Sequence, residues 1–197
     1  MRRLLIFGFL ASSLVGVPCA TTPGQGSEGR LVFSTVHSDA LATNLLGDQA
    51  DAGFVVYLPP SYAAAPSRRY PVVYLLHGNG GSARRSWVDG VYQGLNMKTA
   101  MDATISSGRG REFIVVMPDG NTRYGGSHYV NSSVNGNWAD FLAHELVRHI
   151  DKTYRTIPEA ASRGLAGHSM ARHFLSGGDR TRGLRRNLRA QSWKDGV

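Results

Sequence analysis

Gly164-Leu165-Ala166-Gly167-His168-Ser169-Met170-Ala171 runs from a short apolar segment straight into a serine flanked by small residues. The core of it, Gly167 to Ala171, reads G-x-S-x-A, a variant of a tight strand-to-helix elbow. In such a turn the serine takes a strained backbone conformation, so the residues two before and two after it must be small. Gly167 and Ala171 meet that demand. Gly164 to Gly167 is therefore expected to be a strand, with the Ser169 hydroxyl lifted above the sheet edge.

Working outward, the flanking segments alternate between short strands and helices. Leu31 to His37 alternates apolar and polar side chains, as a half-buried strand does. Phe54 to Leu58 is a second strand, stopped by Pro59-Pro60. Tyr70 to Leu76 and Phe113 to Met117 are almost continuously apolar. Strands apolar on both faces belong inside a mostly parallel sheet covered by helices. Trp87 to Ser106 can hold a helix. Asn137 to Tyr154 is the clearest one, with Trp138, Phe141, Leu142, Leu146 and Ile150 at helical spacing. Strand, helix, strand, helix, strand is the pattern of a three-layer α/β sandwich.

Charge and composition narrow the function classes. The chain has 197 residues and a formal net charge of +8. Residues 172–197 hold six Arg and one Lys against Asp179 and Asp195, a net +5, and Arg2 and Arg3 add two more. Residues 4–171 therefore carry only +1. With no basic stripe interleaved with aromatics, nucleic acid is not an expected partner. Arg2-Arg3, the apolar run Leu4 to Val17 and the small residues after it have the layout of a secretory signal peptide. Residues 1–20 are assigned to it and 21–29 to a Thr/Gly/Ser-rich linker. Lipoprotein processing at Cys19 fits less well, because Pro18 precedes it. The mature chain is expected outside the cytoplasm, secreted or periplasmic, with no membrane span. Cys19 is the only cysteine, so the body has no disulfide, cysteine nucleophile or thiolate metal site.

His77-Gly78-Asn79-Gly80-Gly81 directly follows the strand Val72 to Leu76. A glycine-rich turn there leaves backbone N–H groups free to point at a carbonyl oxygen. A phosphate cradle would need a lysine and a hydroxyl after the glycines, and none follow. His144-Glu145-Leu146-Val147-Arg148-His149 imitates a zinc-protease helix, but its histidines are five apart, about 140° around the helix. Asp119-Gly120-Asn121 reads as a turn, since the later ligands of a calcium loop are missing. No metal and no cofactor are expected.

The order of these motifs resembles an esterase family of the α/β-hydrolase superfamily, the one grouping esterase D, feruloyl and enterochelin esterase-like enzymes and the antigen 85 mycolyltransferases. The resemblance rests on Val56 to Tyr62, Tyr70 to Gly78, Val115 to Gly120, Trp138 to Arg155 and Ala166 to Met170, in the family's order over about residues 30 to 170. It implies an α/β-hydrolase-like fold and an exported serine esterase acting on a small-molecule or polysaccharide-linked ester. Ser169 would be the nucleophile, and the backbone N–H groups of Asn79 and Met170 would hold the oxyanion. Tyr129 and Asn131 would line the substrate cleft. An acyltransferase of the same family is an alternative. A non-catalytic fragment or anion-binding protein is an alternative of another class.

After Met170 the sequence departs from the family, which continues with Gly-Gly and an apolar helix. Here Ala171-Arg172-His173-Phe174 leads into the basic run to Val197. The catalytic acid and histidine would follow the serine in the order Ser, Asp, His. His173, four residues on, would lie beside the serine's own backbone and is not assigned as the base. Residues 30–171 are thus read as the N-terminal part of a hydrolase domain, incomplete at the C-terminus. Residues 172–197 are read as a basic tail, disordered or in a shifted reading frame. Resequencing of the gene tests the frame. Intact mass tests the leader: a secreting host should release a chain beginning at residue 20 or 21, and a mass that retains Met1 overturns the assignment.

Overall fold

The computed structural model describes residues 28–176 and 189–190. The expected signal peptide, nearly all of the linker and most of the basic tail lie outside the described residues. β1 (Arg30–His37) and β2 (Asp51–Leu58) flank a one-turn helix, α1 (Asp39–Ala42). After α2 (Ser61–Ala64) come β3 (Val72–Leu76), α3 (Ala83–Trp87), α4 (Met97–Ser106) and β4 (Ile114–Pro118). A small ladder, β5 (Asn131–Ser132) with β6 (Gly136–Asn137), precedes α5 (Trp138–Asp140). A π-helical stretch, Phe141–Leu146, joins α5 to α6 (Val147–Thr153). β7 (Arg163–Gly167), a 3-10 turn at Ser169–Ala171, α7 (Arg172–Ser176) and the two-residue β8 (Arg189–Ala190) complete the described elements.

The sheet runs β1-β2-β4-β3-β7-β8. β1, β2 and β4 pair antiparallel; β4, β3, β7 and β8 pair parallel. The apolar runs sit where both faces are covered, as expected, but the antiparallel β2 shares this property with the parallel strands. Phe54, Val56 and Leu58 face one core with Phe141, Leu146 and Ile150. Val55 and Tyr57 face the other, with Trp87, Met101 and Met117. Period-two alternation thus serves two buried cores at once, one on each side of the sheet. β1, on the edge, keeps alternate residues exposed. No helix among the described residues is long and apolar enough to cross a membrane.

One local outcome differs from the sequence reading. The segment Trp87 to Ser106 is broken. Gly90, Gln93 and Gly94 take positive φ, and Asn96 restarts the helix by accepting the Thr99 N–H at 3.1 Å. Glu145, between the two histidines of the zinc-protease-like stretch, has a structural role. It reaches across to α1, where its carboxylate accepts the Ser38 hydroxyl and, at 3.1 Å, the Ala40 N–H. His149 packs edge-on against Phe54 at 5.6 Å, a packing role. At the far end of α6, Asp151 accepts the Thr156 hydroxyl at 2.5 Å and pairs with the buried Arg163 at the start of β7. That pair ties the long helix to the strand that leads into the turn at Ser169.

On the opposite face, Asp102 of α4 joins helix to sheet. It accepts the Tyr57 hydroxyl at 2.7 Å, the Gly29 N–H at 2.8 Å and the Lys98 ammonium at 2.9 Å. Burial alone would raise its carboxyl, but the hydrogen bonds from Lys98, Tyr57 and Gly29 outweigh burial and hold it below the usual range. A carboxyl lowered by folding stabilises the native state above its unfolded pKa, near 4. That contribution disappears as pH falls through the lower, native pKa. Asp102→Asn is therefore expected to cost about 1–3 kcal/mol at pH 7, because it weakens the partner of a buried phenol. It should also flatten the loss of stability below pH 4. Urea denaturation at a series of pH values measures both, and an unchanged midpoint would contradict them.

Candidate active site

β3 and β7 are parallel neighbours in the register Tyr74↔Leu165, Leu75↔Ala166, Leu76↔Gly167. Two loops therefore leave the sheet side by side: His77 to Gly81 after β3, and His168-Ser169 after β7. The His168 N–H donates to the Leu76 carbonyl at 3.1 Å, which extends the pairing one residue past the strand. This is the carboxyl end of the parallel strands, where ligands bind in open α/β sheets.

Ser169 has φ 51°, the left-handed region that a residue with a Cβ seldom adopts. It is exposed, while Met170 and Ala171 behind it are buried. The need for small neighbours is visible in the packing. A methyl group at Gly167 would lie 2.5 Å from the Ala171 Cβ, 3.1 Å from the Leu76 Cβ and 3.2 Å from the Leu76 carbonyl oxygen. One at Gly78 would lie 3.0 Å from His168 Nδ1 and 3.2 Å from the Ser169 Cβ. The glycine-rich loop is thus packed directly against the serine. Among the described residues, no side chain is hydrogen-bonded to the Ser169 hydroxyl.

Asn79 and Met170 meet at a third loop. A methyl at Gly126 would lie 2.3 Å from Met170 Sδ and 2.7 Å from Asn79 Oδ1. The Gly80 N–H donates to the Gly125 carbonyl at 2.8 Å. His77, fully buried, fixes the root of the loop. One ring nitrogen, Nε2, accepts the Gly120 N–H at 2.9 Å, and the other, Nδ1, donates to the Gly78 carbonyl at 2.7 Å. An accepting Nε2 carries no proton, so the 3.3 Å approach of Asp119 to it is not an ion pair. The sequence reading took His77 only as the start of a glycine turn. Its burial and its link to Gly120 depend on β3 and β4 lying side by side.

Tyr129 and Asn131, expected to line a cleft, have other surroundings. Tyr129 is fully buried with φ 53°. Its ring packs edge-on against His77 at 5.9 Å and Trp138 at 6.5 Å. Burial pushes its phenol well above the usual range. Asn131 Oδ1 accepts the N–H groups of Ala139 at 2.9 Å and Asp140 at 3.1 Å, and its Nδ2 donates to Asp140 at 2.9 Å. It satisfies the free donors at the start of the long helix. Neither residue lines the groove beside Ser169. That groove, about 220 Å³, is bounded by the His77–Gly81 loop and by Arg85, Trp87, Val91, Tyr92 and His168. Asp119-Gly120-Asn121 is a turn, with the Asn121 N–H donating to the Asp119 carboxylate at 3.2 Å.

The pattern of the family described as "Putative esterase" matches residues 48–174. An esterase of Mycobacterium tuberculosis is 34% identical over 119 residues, which is 60% of this chain and 24% of that one. An endo-1,4-beta-xylanase/feruloyl esterase of Xylanibacter ruminicola is 35% identical over 118 residues, 58% of this chain and 16% of that one. A solved ferulic acid esterase superposes with TM-score 0.63 and 27% identity over 76% of this chain and 55% of that one. An S-formylglutathione hydrolase from Agrobacterium tumefaciens gives TM-score 0.59 at 18% identity, over 86% of this chain and 59% of that one, a likeness of fold. The chain spans about a quarter of the M. tuberculosis relative and about half of the solved ferulic acid esterase.

The left-handed conformation of Ser169 predicts a stability signature that needs no turnover. Ser169→Gly should be more stable than Ser169→Ala by about 1 kcal/mol, since only glycine adopts that conformation without a Cβ penalty. Equal midpoints in urea would mean the turn is unstrained.

Proposed function

The chain belongs to the "Putative esterase" family, and on that premise we propose that it acts on carboxylic esters through an acyl-enzyme at Ser169. The observation that carries the proposal is the exposed, left-handed Ser169 packed against the Gly78 backbone. In the proposed reaction the Ser169 hydroxyl oxygen attacks the ester carbonyl and loses its proton. The backbone N–H groups of Asn79 and Met170 stabilise the resulting oxyanion. Collapse of the tetrahedral intermediate breaks the bond to the alcohol oxygen, which leaves with a proton. Water then attacks the acyl-enzyme and regenerates the serine.

The fold supports this reading energetically. Donors held on two packed loops need no reorganisation when charge develops, which is where most of such a site's rate effect arises. His77 and the Gly80–Gly125 hydrogen bond keep the first loop rigid. The proton on Ser169 passes to a general base, and without an imidazole in that role the rate falls on the order of a thousandfold or more. Polysaccharide-linked esters are a proposed substrate class, prompted by the xylanase/feruloyl esterase relative. Export is proposed from the Arg2-Arg3 and Leu4-to-Val17 segment.

A fluorophosphonate probe tests the nucleophile separately from turnover. One adduct per chain is expected, located on Ser169 by peptide mass spectrometry, and Ser169→Ala should abolish it. p-Nitrophenyl acetate should release nitrophenol only from the chain that retains Ser169. Labelling that survives Ser169→Ala would overturn the assignment.

A further inference from the structure

The groove beside Ser169 is unequal in charge, with a cationic side chain and no anionic one in its lining. Its lining includes Arg85 and Trp87 beside the polar Asn79, Ser86, His168 and Ser169, but no Asp or Glu. Arg and Trp side chains donate and cannot accept. Trp87 is only 5% exposed and its Nε1 is shielded, so the indole forms a wall of the groove and the exposed Arg85 is the cation a ligand can reach. Arg85 makes no ion pair among the described residues.

The neighbouring arginine shows that this is a local arrangement. Arg84 bonds Asp89 at 3.3 Å and lies over the Phe33 ring, 5.6 Å from its centroid. One residue on, a helix has turned by about 100°, and Arg85 lines the groove instead. Its backbone N–H is held by the Ser82 hydroxyl at 3.1 Å, which fixes the base of the side chain. Val91, 60% exposed, and Tyr92 supply an apolar wall. The Tyr92 ring lies 4.5 Å from the His168 ring, which couples that wall to the elbow. A volume near 220 Å³ is below the roughly 300–1,000 Å³ of drug-sized sites. It suits one ring or short chain and its terminal group.

We propose that this groove is a carboxylate subsite: the ester processed at Ser169 carries, on its acyl or alcohol part, an apolar body ending in a carboxylate that Arg85 binds. The planar guanidinium meets a carboxylate through two parallel N–H···O bonds, a geometry a neutral amide or ester cannot match. The apolar body lies along Val91 and Tyr92. This assignment rests on Ser169 being the ester site.

The test is made on Ser169→Ala, so that it reads binding alone. Benzoate and its neutral isostere benzamide are titrated while the indole N–H signals are followed by NMR, the Trp87 signal being identified with Trp87→Phe. Benzoate should bind about fivefold more tightly than benzamide, a modest factor because Arg85 is exposed. Arg85→Gln should remove that preference, and Arg84→Gln, which alters net charge equally, should keep it. Circular dichroism confirms that each variant is folded. Equal binding of the two ligands, or a preference that survives Arg85→Gln or is lost equally in Arg84→Gln, overturns the subsite. Failure of fluorophosphonate labelling at Ser169 would instead overturn the esterase reading, whatever benzoate does.

Discussion

Leu76 and Gly167 face each other across the parallel pair β3–β7, and the space between them admits no side chain at position 167. The rest of the site follows from that approach. The two strands end at the same height, so the loops after them must share one small volume. The chain after Gly167 can turn only sharply, which drives Ser169 into the left-handed region and leaves Ala171 against the strand. Strain at one residue persists only where the surroundings over-determine it. Here the surroundings are the buried Met170 and Ala171 and the pairing of β7 along all five residues with β3.

That register is held from both sides of the sheet. On one face the helix from Trp138 to Thr153 buries Phe141, Leu146 and Ile150 against β2, β3 and β4. Its end is fastened to β7 through Asp151 and Arg163. Its flank is fastened to α1 through Glu145. On the other face, Trp87, Met101 and Met117 form a second core, and Asp102 ties α4 to Tyr57. A sheet covered on both faces has little freedom to slip, because a one-residue shift would exchange the two cores. The glycine loop gains its own rigidity from His77, which bonds across to Gly120 after β4. Three adjacent strand ends, β7, β3 and β4, thus each contribute a loop to one corner.

The asymmetry of the groove has the same origin. α3 begins at Ala83, two residues beyond the glycine turn, so its side chains are carried to the edge of the serine loop. The helix phase then sends Arg84 toward Phe33 and Asp89 and leaves Arg85 on the groove wall. The make-up of the groove wall is therefore a consequence of one short connection after β3.

The strands and the long helix were legible in the sequence because each signals itself locally. Tyr70 to Leu76 and Phe113 to Met117 are apolar at every step, and the stripe from Trp138 to Ile150 repeats at helical spacing. The elbow was legible for the same reason: Gly167, Ser169 and Ala171 state a local steric requirement within five residues. The resemblance to known esterases implied roles for the Asn79 and Met170 N–H groups, while the structure shows their side chains close together at Gly126. Other features depended on contacts between distant segments. Tyr129 and Asn131 sit in a polar-looking stretch, yet one is buried against His77 and the other caps a helix eight residues on. Glu145 serves a helix more than a hundred residues earlier. Arg84 and Arg85 are adjacent and identical in type, and only the helix phase against Phe33, Asp89 and the groove separates their roles. Composition and spacing determine which elements form, because backbone preference and burial periodicity act over a few residues. Which side chains meet is decided by strand order and register, and these arise from cores assembled across the whole chain.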